Sequence, residues 1–161
     1  MGLSGPAATE QPLRIGTSLS ITGKQYSAQG GYCREGYLLC QKHVNAEGGV
    51  VGRQIEFVTY DDASDGKAAA RNYEKLITED KVDAVLGPYG SEITEAVAEV
   101  IEKHRMLMIA PTAGTSSIWE KGRRYLIMML SPVEGLPEGL LDLAARNRLT
   151  RVAVIKLDGL G

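Results

Sequence analysis

The chain has 161 residues, 43% of them hydrophobic and 24% charged, with a formal net charge of -2. That length buries one ordinary core, and those fractions exclude disordered, collagen-like and membrane-embedded classes. With no basic stripe, one Trp and one Phe, little is available to neutralise phosphates or stack on bases, so no nucleic-acid partner is expected.

Residues 1–12 are small and polar and lack the apolar centre of a signal peptide; they are expected to form a disordered tail. Leu13–Ser18 reads as a first strand, followed by a loop rich in Thr, Gly and Ser. The spacing of Cys33, Gly36, Tyr37, Cys40 and Val44 predicts a helix over Gln29–His43 that buries them on one face and ends at Gly48-Gly49. Cys33 and Cys40 would lie about 10 Å apart along such a helix, too far to bridge each other, and with only His43 nearby they make a poor zinc cage. Gln54–Tyr60 is the second strand. Asp65 is a good N-cap for a helix through Ile77, with Ala69, Tyr73, Leu76 and Ile77 inward. Val82–Leu86, the third strand, turns through Gly87–Ser91 into a helix whose inner residues are expected to be Ile93, Ala96, Val97, Val100 and Ile101. Leu107–Ala110 and Tyr125–Leu130 are the fourth and fifth strands. A helix over Pro137–Arg146, with Pro in its first turn, and a sixth strand over Val152–Ile155 complete the pattern.

Strands alternating with helices imply an α/β fold, a doubly wound parallel sheet covered on both faces, up to about Leu130. A chain that stops on a bare strand reads as truncated. Ligands of such sheets bind beyond the carboxyl ends of the strands, where strand order reverses. The loops expected there, Ser18–Gly23, Gly87–Ser91 and Pro111–Thr115, are rich in hydroxyls and glycine and suit neutral hydrogen bonding to a small polar ligand. Ser91 opens a helix, so its amide and hydroxyl suit a carboxylate, or it caps the helix, or both. Thr112 and Thr115 are either ligand contacts or solvated loop residues. Asp61-Asp62 admits a magnesium or phosphoacceptor pocket, although acids after a strand more often cap the next helix. His43 and His104 fall at helix ends, far from these loops. No nucleophile elbow, phosphate loop, dinucleotide fingerprint or zinc spacing is present, so no catalytic residue, metal or cofactor is expected.

Several blocks then coincide with a known family. Leu19-Ser-Ile-Thr-Gly23 with Gln29-Gly30 and Glu35-Gly36 looks like its opening signature, and Val44-Asn-Ala-Glu-Gly-Gly-Val-Val-Gly-Arg53 is similar to its Asn-Ala-x-Gly-Gly block. Tyr60-Asp-Asp-Ala-Ser-Asp65 before Ala68-Ala-Ala70, and Val82-Asp-Ala-Val-Leu-Gly-Pro88 with Ser91 and Ala96, resemble its acidic strand end and ligand loop. In order and spacing over Leu13–Gly161, the chain resembles the periplasmic solute-binding proteins of the branched-chain amino-acid ABC transporter type.

The resemblance implies a type I binding-protein lobe with flavodoxin-like strand order, half of a clamp that closes on ligand by hinge bending. It implies a first lobe over residues 13–131 and the start of a second over 132–161. Carried over by position, Ser91, Thr112, Ala113 and Thr115 hold the ligand's carboxylate and amino groups, and Tyr26 or Gln29 stands where some members place an aromatic. The implied ligand is a branched-chain amino acid or related small carboxylate, aromatic acids included. The implied partner is a membrane ABC permease, the location periplasmic, and the activity non-enzymatic. Binding by this lobe alone is expected to be weak, and the apolar segment after Pro132 favours a homodimer. Two other readings remain at this stage: the sensing lobe of a receptor or regulator, and a flavodoxin- or receiver-like enzyme module using Asp61 or Asp62.

Overall fold

The computed structural model describes residues 11–153 and 155. Five parallel strands, β1 (Leu13–Leu19), β2 (Ile55–Asp61), β3 (Ala84–Leu86), β4 (Met108–Ala110) and β5 (Leu126–Met128), form one sheet in the order β2-β1-β3-β4-β5. Between them run α1 (Ser27–Ala46), α2 (Gly66–Thr78), α3 (Ser91–His104) and the single turn α4 (Ser116–Trp119), and α5 (Glu138–Arg146) follows the sheet. The chain steps outward from β1 to β2 and then back across β1 to β3. Right-handed crossovers therefore place α1 on one face and α2 and α3 on the other. Order reverses between β1 and β3, as the flavodoxin-like expectation requires.

The main core lies on the α2–α3 face. Val85, Met108, Ala110 and Leu126 project from the sheet onto Ala69, Tyr73 and Leu76 of α2 and Ile93, Val97, Ala98 and Ile101 of α3. Burial of this kind contributes about 25 cal/mol per Å² of apolar surface, which makes this face the principal source of stability. Asp65 caps α2 as expected, its carboxylate accepting from the Ala68 amide at 2.6 Å.

Several expectations are corrected. On α3 the inner stripe is Ile93, Thr94, Val97, Ala98 and Ile101, while Ala96 is exposed at the edge of the α2 contact, beside Gly66. On α1 the inward line runs through Gly30, Cys33, Tyr37, Gln41 and Val44, so Gly36 and Cys40 face solvent. The reason is that Tyr37 stacks on Phe57 of β2, with ring centroids 5.4 Å apart, and this contact sets the rotation of the helix. Residues 152, 153 and 155 of the expected sixth strand are not in a strand; residue 154, like residues 1–10 of the expected tail, lies outside the described residues. His104 meets the Glu74 carboxylate at 2.8 Å rather than merely facing its own helix end.

Two features finish the sheet's margins. Along the outer edge of β2, the Asn45 side chain both donates to Ile55 O (2.9 Å) and accepts from Ile55 N (2.7 Å), while Gln41 Oε1 accepts from Phe57 N (3.3 Å). At the entry to β5, Glu95 of α3 takes both terminal nitrogens of Arg123, at 2.8 and 2.7 Å, and also binds Lys121. Bidentate pairing of a guanidinium that is only 8% exposed is the favourable kind of ion pair.

The Arg123 guanidinium holds the Glu95 carboxyl down to about 2, against partial burial that works the other way. A carboxyl depressed in the folded state stabilises the fold above its unfolded value and loses that contribution as pH falls through the folded one. Glu95→Gln is therefore expected to lower stability by about 1 kcal/mol, roughly 3 °C in Tm, at neutral pH. Thermal melts from about pH 6 to about pH 2 should show the gap closing at the acid end.

Candidate functional site

At the carboxyl ends of β1 and β2, two adjacent aspartates organise the loops. Asp62 is fully buried. Its carboxylate accepts from the Ser18 hydroxyl (3.1 Å), the Ser20 hydroxyl (2.6 Å) and the Ser64 amide (3.0 Å). Asn72 of α2 donates to Ser18 Oγ at 3.0 Å, and Tyr73 bridges the Ser18 amide to the Leu86 carbonyl at the end of β3. Asp61 accepts from the Ile21 and Thr22 amides, the Thr22 hydroxyl and the Ala63 amide. Burial works to raise its pKa, but these four hydrogen bonds outweigh it and hold the carboxyl below the usual range. Neither acid caps α2, and both carboxylates are committed to the loop after β1. Among the described residues no group of three or more His, Cys, Asp or Glu is arranged to hold a metal.

The anchored loop delivers Tyr26 to the site. The Tyr26 amide donates to Ser64 Oγ at 3.1 Å, and its ring packs against Tyr89 with centroids 5.5 Å apart and planes tilted by 54°. Beneath it lies Gly90, whose φ of 87° favours glycine; a Cβ there would touch the Tyr26 ring at 3.6 Å. Gly90, not Ser91, occupies the N-cap of α3, and no side chain caps the helix. The capping reading of Ser91 is thereby corrected.

Freed from capping, Ser91 Oγ accepts the amides of Gly114 and Thr115, each at 3.2 Å. Both lone pairs of the hydroxyl are then occupied, and its proton remains to be donated. Ser91 also stands in the first turn of α3, where amides lack intrahelical acceptors and the helix dipole favours an anion. The two threonines behave differently. Thr112 donates its hydroxyl to Pro88 O (3.1 Å) and receives the Gly90 amide (3.4 Å), bracing the loop after β4 against the loop after β3. The Thr115 hydroxyl makes no hydrogen bond among the described residues, although the residue is only 8% exposed. Ala113, between them, is fully buried.

Five of the six sequence-derived candidates thus come together: Tyr26 over Gly90, and Ser91 linked to the Thr112–Thr115 segment. Gln29, one turn along α1, is half-buried and hydrogen-bonds to none of the others. Asp62 was a candidate only for a metal or phosphoacceptor pocket, and Ser64 and Tyr89 were not candidates. The acidic pair and the Ser-Asp sequence were visible, but their partners lie some forty residues away. Among the described residues Ser91 accepts amides instead of donating to a base, and His104 contacts Glu74 at the far end of α3.

The sequence matches the periplasmic binding protein family over residues 12–160. It is 30% identical over 140 residues to the leucine-, isoleucine-, valine-, threonine- and alanine-binding protein of Pseudomonas aeruginosa, covering 83% of this chain and 37% of that protein. Its fold superimposes with a TM-score of 0.71 on a branched-chain amino acid transporter substrate-binding protein of Streptococcus pneumoniae in complex with isoleucine, 32% identical, covering 75% of this chain and 34% of the other. A solute-binding protein of an ABC transporter from Rhodopseudomonas palustris, in complex with 3,4-dihydroxybenzoic acid, gives 0.74 at 25% identity, over 85% of this chain and 36% of the other. The chain spans little more than a third of the length of each of these proteins.

Removing the buried carboxylate tests the loop anchor. Asp62→Ala orphans two hydroxyls and an amide and should cost about 3 kcal/mol in urea denaturation. Asp62→Asn, which keeps shape and one acceptor oxygen, should cost about half as much. Millimolar magnesium should leave the wild-type midpoint where it is; a magnesium-dependent rise lost in Asp62→Asn would restore the metal-pocket reading.

Proposed function

The chain belongs to the periplasmic binding protein family, and on that premise we propose that it is a ligand-binding lobe of an extracytoplasmic substrate-binding protein serving an ABC importer. Its ligands in this reading are branched-chain amino acids or related small carboxylates. Residues 13–131 make up the lobe and 132–161 begin a second one; the partner is the membrane permease of the importer.

One observation carries the reading: Ser91 Oγ receives two backbone amides and keeps a proton to donate, at the uncapped start of α3. That is a donor site for an anion, and a carboxylate fits its scale. The Ser91 hydroxyl and the Thr115 hydroxyl donate to the carboxylate oxygens. Ala113, fully buried, holds the spacing of the two threonines in this reading. Thr112 braces the loops, and Tyr26 flanks the ligand's side chain. Isoleucine and 3,4-dihydroxybenzoic acid, found in two of the similar structures, share the carboxylate and differ in everything beyond it. A cradle for the carboxylate on this lobe is consistent with both.

The test is a backbone-amide NMR titration with L-isoleucine, 3,4-dihydroxybenzoate and, lacking the carboxylate, L-isoleucinamide. The two acids should shift Ser91 and Ala113–Thr115, the amide should not, and Ser91→Ala should weaken the acids about tenfold or more. Equal shifts from isoleucinamide, or none from either acid, would sink the reading.

A further inference from the structure

The segment leaving β5 folds back over the ligand loop instead of running clear of the sheet. Val133 N donates to Gly114 O at 2.9 Å. The Ser116 amide and hydroxyl donate to the two carboxylate oxygens of Glu134, at 2.9 and 2.8 Å. The packing is close enough to exclude a side chain at Gly114, where a Cβ would lie 2.6 Å from Val133 Cγ1 and 3.0 Å from Leu130 Cδ2. From the inner side, the amides of Gly114 and Thr115 are held by Ser91 Oγ. The loop is therefore gripped on both sides, by Ser91 within and by residues 133–134 without.

Glu134 is an exposed carboxylate with every reason to remain hydrated, yet it takes both donors of one serine eighteen residues earlier. Ser116 opens α4, whose N-cap Thr115 offers no side-chain hydrogen bond. Glu134 thus supplies from the crossover the acceptor that the local sequence lacks. The Ser116 hydrogen bonds hold its carboxyl below the usual range, as charge-assisted bonds do.

We propose that Glu134 is a positioning residue for the ligand loop: by accepting both donors of Ser116 it fixes Ala113–Ser116 against Ser91 and ties the crossover segment to the atoms that meet the ligand. The ligand half of this statement rests on the carboxylate-binding reading of Ser91; the positioning half does not. Displacing the crossover moves the loop, and ordering the loop around a ligand orders the crossover, so the two are coupled in both directions.

The test uses the 161-residue chain with Glu134→Ala and Glu134→Gln, read first by amide hydrogen exchange without ligand. Glu134→Ala should speed exchange at Gly114, Thr115 and Ser116 about tenfold or more, leaving the α2 and α3 amides unchanged. Glu134→Gln, which retains an acceptor oxygen, should restore most of the protection. Unchanged exchange at Gly114 and Thr115 in Glu134→Ala overturns the proposal whatever the ligand does. The second readout is titration with L-isoleucine, in which Glu134→Ala should weaken the shift at Ser91 about fivefold. Accelerated exchange with undiminished isoleucine affinity also overturns the positioning role. Failure of wild-type protein to respond to isoleucine counts against the carboxylate reading alone, since the exchange result decides the loop's anchor independently.

Discussion

A buried carboxylate with no ion-pair partner among the described residues is the constraint on which the upper end of this fold depends. Asp62 is removed from water entirely, and such a group is tolerated only when hydrogen bonds replace its hydration. The donors come from the end of β1, from the loop beyond it and from the turn before α2. None of these segments can shift without exposing the charge or leaving it unpaired. The same demand reaches further through Asn72 and Tyr73 to the last carbonyl of β3, so the sides of the switch point are set relative to each other by one polar network.

From that anchor the site follows as a sequence of supports. Asp61 fixes Ile21 and Thr22, Ser64 receives the Tyr26 amide, and Tyr26 rests over Gly90 beside Tyr89. Opposite, Thr112 braces the β3 and β4 loops, and Ser91 gathers two amides of the second. The resulting surface has hydroxyl and amide donors and, among the described residues that form it, no side-chain cation. In the proposed reading, neutral donors held in place recognise a carboxylate by direction rather than by net charge.

Much of the framework was legible in the chain. Alternating apolar runs and amphipathic stretches led to a doubly wound parallel sheet, and Asp65 was readable as an N-cap because its partner, Ala68, is three residues away. Ser91 and the Thr112–Thr115 segment were legible as a pair of strand-end loops, and their resemblance to a ligand loop brought them together. Where partners are distant, residue spacing said little. Asp61 and Asp62 read as a helix cap or a metal pocket, since most of their partners lie some forty residues earlier. Ser91 was readable as a cap until the amides of Gly114 and Thr115 showed where its lone pairs go. Helical periodicity likewise fixed the amphipathic character of α1 and α3 but not their rotation, which depends on the Tyr37–Phe57 stack and on the packing of α3 against α2. Ala96 and Cys40 were misassigned for that reason.

The outer margin of β2 has a consequence for how the molecule behaves in company. The outward backbone groups of Ile55 and the amide of Phe57, which a foreign strand would need, are already taken by Asn45 and Gln41. An incoming strand must break three hydrogen bonds along this stretch before it makes its first, and the amide side chains reproduce the ladder that it would offer. Asn45 and Gln41 thus guard solubility on that flank. Apolar residues in their place would leave those backbone groups open as a template for aggregation at high protein concentration.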